Sequence, residues 1–292
     1  MRIDFHTHIF SPKVKSNRSN YLAKDSAFET LYSREDSKII TAADLIDVMD
    51  EKQINCSVVM GIGWYGLDSA KESNNYIMES CEKFKGRLIG LGSVNPILGE
   101  DAIEELNRCL DSGLIGMGEL HPDLQQFELN DFNVMNEFMT QLKHKNGLLV
   151  THSSEPVGHS YIGKGLTTPD KIWDFLNMFP DSKVILAHWG GGLPFYSLMP
   201  EVGKLLKNVY FDTAASPYLY EKTIFDFVSR LIGAGRILFG SDYPLISQNR
   251  IITQITDSNM SEKAKKKIFS DNAIELLAQL KTLDKTGIYK FD

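Results

Sequence analysis

Residues 2–8, RIDFHTH, decide the fold of this chain. The run takes Ile3 and Phe5 as its apolar positions, then places His6 and His8 one residue apart. On a β-strand residues i and i+2 point to one face, so the pair aims two imidazoles at the same point in space. Seven histidines scattered over 292 residues would give a His-x-His pair by chance in roughly one chain in seven. The pair gains meaning only if further ligands arrive at the same place, because a zinc ion takes about four and a catalytic one keeps a position open.

Working outward, seven more short apolar runs follow in order: NCSVVMGIG at 55, RLIGLGSVNP at 87, LIGMGELHP at 114, GLLVTHSS at 147, KVILAHWGG at 183, VYFDTAAS at 209 and RILFGSDYP at 236. Amphipathic helical patterns separate them. One is TAADLIDVMDEKQ at 41, with Thr41 as its N-cap; another is EDAIEELNRCLDSG at 100, with Gly113 as its C-cap; a third is TPDKIWDFLNMFP at 168. Eight βα units over about 250 residues predict an α/β protein, a (β/α)8 TIM barrel. A doubly wound sheet is the competing fold, but no G-x-G-x-x-G follows the first strand. The chain reads as one domain over 1–292, with an elaborated polar loop at about 11–40 over the barrel mouth. Two short helices are expected at 261–280, with Asn272 capping the second.

On this frame the polar residues fall at strand ends. His6 and His8 close the first strand, Glu119 the fourth, His152 the fifth, His188 the sixth and Asp242 the eighth. In a barrel all of them stand at the C-terminal rim, where active sites of this fold are built. Four imidazoles and two carboxylates would meet in one cup.

The segments DFHTHIF, GELHP, VTHSS, ILAHWGG and FGSDYP, in that order, resemble the amidohydrolase superfamily, in particular its branch containing aminocarboxymuconate semialdehyde decarboxylase and related hydrolases and hydratases. The resemblance implies that His6, His8, His152 and Asp242 bind metal. It gives the position of His188 to a second metal or to substrate and water, and it makes Glu119 the position that separates one-metal from two-metal members. A bridged pair would put His6, His8 and Asp242 on one ion and His152 and His188 on the other, with Glu119 shared. A single ion would leave Glu119 to orient a histidine.

A nitrogen and oxygen donor set without thiolate suits zinc, the default expectation, with manganese, iron or nickel as alternatives, one ion or two. The leading functional expectation is a metal-dependent hydrolase of a small amide, ester or lactone. In it Asp242 accepts the proton of the attacking water, as the resemblance implies, and His188 stabilises the oxyanion or holds the second ion. The alternative is a nonoxidative decarboxylase or hydratase of an unsaturated or aromatic carboxylic acid. Such a substrate calls for an arginine fork, for which Arg18 and Arg250 are the few available. A nonenzymatic metal protein is disfavoured, because structural zinc sites are usually closed and often use cysteine. Around the rim, Trp64, His121, Glu155 and His159 are the candidate substrate contacts, with Tyr65 and Tyr161 beside them.

Composition bounds the partners. Of the residues 42% are hydrophobic and 24% charged, with a net charge of −7. That balance argues against nucleic acid, which needs clustered cations; the one basic run, KAKKK at 263–267, reads as a solvated helix face. Three widely spaced cysteines form no CxxC and fit a reducing compartment. No apolar run approaches a membrane span of about 18 residues and no leader pattern opens the chain, so a cytoplasmic protein acting on a small molecule is expected. A homodimer fits the commonest oligomer symmetry.

Overall fold

The computed structural model describes residues 1–280; the last twelve positions of the expected 1–292 domain lie outside the described residues. The eight strands are β1 (Ile3–His8), β2 (Cys56–Met60), β3 (Leu88–Gly90), β4 (Gly116–Leu120), β5 (Leu148–Thr151), β6 (Val184–Leu186), β7 (Val209–Asp212) and β8 (Ile237–Leu238). All neighbouring pairs run parallel, β1 to β3 in one set and β4 to β8 in another. Isolated bridges join the sets at both seams. Gly92 pairs with Met117, and Thr7 pairs with Tyr243. Hydrogen bonds reinforce them, from Ile115 N to Gly90 O at 3.0 Å and from Phe5 N to Phe239 O at 2.7 Å. The ring is thereby closed, and the TIM barrel expected from the strand count is the fold.

Inside the ring Ile3, Phe5, Val58, Met60, Ile89, Val150 and Ile185 form a buried cluster that Leu276 and Leu277 of the last helix (272–279) close at the N-terminal end. A larger apolar layer packs between the strands and the surrounding helices. Thr41 caps the helix at 42–52 with a full capping box through Asp44, as the sequence suggests. Gly113 takes φ +94 just past the helix at 100–111, where glycine carries no Cβ penalty.

Two expectations change. Most of the expected loop at 11–40 folds into three short helices, at 12–16, 18–24 and 26–32, and only 33–40 stay irregular. Ser11 and Asp25 cap the first and third, and Arg18 binds the carbonyls of Tyr32, Arg34, Glu35 and Ser37. Phe28, polar neighbours notwithstanding, is fully buried and stacks on Trp64. The other change is at Asn272. Its side chain does not cap but donates to Ala234 O and Ile237 O, and the chain runs through a wide turn at 267–271 into the last helix without a break.

Both strands that begin the cup carry a one-residue bulge. On β1 the register slips between Asp4 and Thr7, and on β4 between Met117 and Leu120. Since Ile3 and Phe5 face the lumen cluster, the extra residue turns His6 and His8 to that same face; on β4 the slip falls at Glu119. Bulges at active sites re-aim side chains in this way.

Candidate metal centre

His6, His8, Glu119, His152, His188 and Asp242 come together at the C-terminal ends of the strands, each no more than 7% exposed. His6 Nε2 and His8 Nε2 lie 3.1 Å apart. Glu119 Oε2 is 3.8 and 3.9 Å from them, and Asp242 Oδ1 is 3.9 and 3.3 Å away. The other oxygen of Glu119 faces His152 Nδ1 at 3.2 Å and His188 Nε2 at 3.3 Å. Glu119 thus turns one oxygen to each of two triads, His6–His8–Glu119 and Glu119–His152–His188, both of which could hold an ion.

The donor chemistry fits a divalent cation. His6 Nδ1 is 2.8 Å from Asp212 Oδ2, and His8 Nδ1 is 2.7 Å from the Gly61 carbonyl. Carboxylates and carbonyls only accept, so both Nδ1 atoms donate. In the neutral rings both Nε2 atoms then carry lone pairs that face one another across 3.1 Å, and only a cation or an added proton satisfies them. Among the described residues no lysine or arginine pairs with Glu119, Asp212 or Asp242.

The electrostatics agree. Burial disfavours imidazolium at His6, but the charge and hydrogen bond of Asp212, then Glu119 and Asp242, raise it to about 10. His188 is likewise raised to about 9 against burial, by Glu119 and then Asp242. Burial opposes ionisation of Asp242, yet the His8 hydrogen bond and the surrounding histidines bring it down to about 2; Glu119 is held well below its usual range by His152 and His188. His121 goes the other way, to about 3, because it is buried and lies against the charge of His152.

His188 and Asp242 sit on backbone of positive φ, +56 and +66, a conformation that costs of order 1–3 kcal/mol for a non-glycine residue. From His188 the left-handed path continues through Trp189 to Gly192. At Gly191 a Cβ would stand 2.3 Å from the Ser154 carbonyl, so glycine is required where this turn crosses the strand-five loop.

The four expected substrate contacts part company. His121 is at the cup: its ring stacks on His152 at 4.0 Å and its Nε2 bonds Gly163 O at 2.9 Å. Glu155 is on the strand-five loop, accepting from Tyr161 at 3.0 Å. Trp64 is 1% exposed and packed on Phe28. His159 is exposed, its ring against Tyr161 and not in the cup. Neither arginine reaches the cup: Arg18 is spent on backbone carbonyls, and Arg250 lies over the Tyr218 ring at 5.0 Å.

Two residues were not anticipated. Asp212 bonds His6 and accepts from His188 N and Ala214 N at 3.0 Å each; its place at the end of VYFD was the signal. Tyr32, from the helix at 26–32, is stacked on Phe28, and burial, then Asp242 and Glu119, push its phenol far up. Nothing in the local sequence marks it.

The family model described as Amidohydrolase matches residues 3–279. The chain belongs to the amidohydrolase family. Within that family its curated relatives include 2-amino-3-carboxymuconate-6-semialdehyde decarboxylase of Dictyostelium discoideum, 24% identical over 241 residues, 72% of this chain and 67% of that protein. Another is 6-methylsalicylic acid decarboxylase of Penicillium expansum, 28% identical over 184 residues. That match spans 50% of this chain and 55% of the relative, about half of each. A similar solved structure is 5-carboxyvanillate decarboxylase from Novosphingobium aromaticivorans, complexed with manganese and 4-hydroxy-3-methoxy-5-nitrobenzoic acid. Its TM-score is 0.78 at 18% identity, covering 95% of this chain and 96% of that one.

The branch named from the sequence motifs is therefore the right one, and the protein is an enzyme of the amidohydrolase superfamily. The leading expectation of hydrolysis is corrected: the relatives on both comparisons are decarboxylases, which agrees with the alternative. No helix among the described residues is long and apolar enough to cross a membrane.

Proposed function

We propose that this chain catalyses the nonoxidative decarboxylation of a small aromatic or unsaturated carboxylic acid with a divalent metal ion. The observation that carries the reading is the activity shared by the names of both curated relatives and the structural neighbour. His6, His8, Glu119 and Asp242 would hold the ion, with His152 and His188 completing a second position beside Glu119. Nitrogen and oxygen donors accept manganese as readily as zinc. When bound, the ion would neutralise the substrate carboxylate and draw electron density from the ring.

The residues of the chain supply the proton. In this reaction the bond to the carboxyl carbon breaks, carbon dioxide leaves, and the electron pair stays on the ring carbon until a proton arrives. No water is consumed, which suits a cup whose ligands are nearly sealed from solvent. With one ion held by His6, His8, Glu119 and Asp242, His188 stays off the ion and is the donor of that proton, its Nδ1 lying 4.0 Å from Asp242 Oδ2. His121 fixes the plane of His152 by stacking, and Asp212 fixes that of His6.

Manganese-loaded protein is expected to release carbon dioxide from 6-methylsalicylic acid or a related hydroxybenzoic acid, and chelator-stripped protein to release none. His188→Asn should lower kcat about a hundredfold or more. Loaded protein inert on a panel of aromatic and unsaturated acids would sink the reading.

A further inference from the structure

Asp242 stands farther beyond its strand than any other residue of the cup. Its strand, β8, ends at Leu238, four positions earlier; His6, His8 and Glu119 lie within their strands, and His152 and His188 follow theirs by one and two positions. Asp242 also takes φ +66, and backbone of that kind persists only where the surroundings over-determine it. The pairing of β8 with β7 stops at Leu238 and does not reach it.

The hold comes from Asp4 on β1. Between Ile3 and Phe5, which face the lumen, this residue points to the other side of the strand, where it is fully buried. Its Oδ1 accepts from Ser241 N at 2.9 Å and from His6 N at 3.3 Å. Its Oδ2 accepts from the Ser241 hydroxyl at 2.6 Å and from Gln248 Nε2 at 2.8 Å. The Ser241 hydroxyl in turn accepts from Tyr243 N at 3.0 Å. Asp4 thus grips the residue before Asp242 by main chain and side chain, and reaches the residue after it through one hydroxyl. Gln248 shows how firmly this geometry is set: turning Nε2 to Asp4 leaves its Oε1 buried with no partner, an arrangement that costs free energy.

We propose that Asp4 is a positioning residue for the metal centre, fixing through Ser241 the turn that presents the Asp242 carboxylate to His8, 3.3 Å away, and to the ion. The inference rests on the proposed function only in giving Asp242 an ion to hold. Asp242 N donates to His6 O at 2.9 Å, and His8 N to Tyr243 O at 2.8 Å, so the turn lies along the strand that carries both histidines. Those bonds join main chain to main chain; Asp4 adds the side-chain bonds that flank residue 242 on both sides. Without them the left-handed backbone has less to offset its strain, and the carboxylate relaxes away from His8. Asp4 touches no ligating side chain of the cup, so its effect passes through Asp242.

The test is manganese affinity, read by titrating metal-free protein and following the paramagnetic resonance of the free ion. Asp4→Ala is expected to weaken binding about 10- to 100-fold, as loss of a group that orients a ligand does. Asp4→Asn should stay within about threefold of the wild type, since its amide oxygen still accepts from Ser241 N and its NH2 can donate to the unpartnered Oε1 of Gln248 once that amide turns over. In an Asp242→Asn background Asp4→Ala should weaken binding by less than about twofold, because a residue that acts through another has nothing left to act on. Ser241→Ala, a smaller change that leaves Asp4 in place, carries the same cycle should Asp4→Ala not fold: a severalfold loss with the Asp242 carboxylate and none without it. Undiminished affinity in these variants, or equal losses in both backgrounds, overturns the assignment. The same preparations are assayed for carbon dioxide release. The expected pattern without release from any acid supports Asp4 and removes the decarboxylase reading; release without the pattern does the reverse.

Discussion

The two ends of the barrel handle charge in opposite ways. At the N-terminal end a concavity of about 900 Å³ is lined by Arg2, Arg87, Lys265 and Lys266 together with Asp50 and Glu262. Both carboxylates are paired in reach of water, Asp50 with Arg87 at 2.6 Å and Glu262 with Lys265 at 3.0 Å, and Lys266 pairs with Asp271 at 3.6 Å. Pairs of that kind contribute about 0–1 kcal/mol. At the C-terminal end the carboxylates of Glu119, Asp212 and Asp242 are buried among imidazoles, with no lysine or arginine among the described residues paired to them. The same fold answers one end with side chains and leaves the other open to a cation or protons. The proposed chemistry is placed where neutralisation is left open.

That contrast can be broken at either end. The largest effect is expected from Asp242→Asn, which removes a carboxylate from both the ion and the proton donor; kcat should fall about a thousandfold or more, read alongside manganese bound per chain. Next comes Asp212→Asn. It spares the ligand atoms but no longer holds His6 in the donating tautomer, so manganese affinity should drop roughly 10- to 100-fold in a metal titration. The smallest belongs to the other end: Arg87→Ala should cost about 1 kcal/mol, less in high salt, by denaturant unfolding, with turnover within about twofold. Turnover falling as far in Arg87→Ala as in Asp212→Asn would erase the distinction between the two ends.

Strand-end position made much of the cup legible from sequence. RIDFHTH, GELHP, VTHSS, ILAHWGG and GSDYP each show an apolar strand breaking into a polar residue, and the barrel carries those breaks to one rim. The same logic covers Asp212, which ends the seventh strand. The surroundings were less legible, since a loop residue is placed by what it packs against. Trp64 is drawn into the ring cluster of Phe10 and Phe28, and Tyr32 is brought in by a helix whose polar sequence gave no strand or rim pattern. Hydrolysis against decarboxylation was not legible at all, because both begin from the same ligands.

Asp212 has one more consequence, in the order of events along the chain. It joins His6 to the turn at His188, and its partner His6 is 206 positions away. Closing a contact of such separation costs more chain entropy than closing a local one. The tautomer of His6 therefore depends on the seventh strand being in the ring. A chain interrupted before β7 would carry both histidines of RIDFHTH and still lack the carboxylate that orients the first of them.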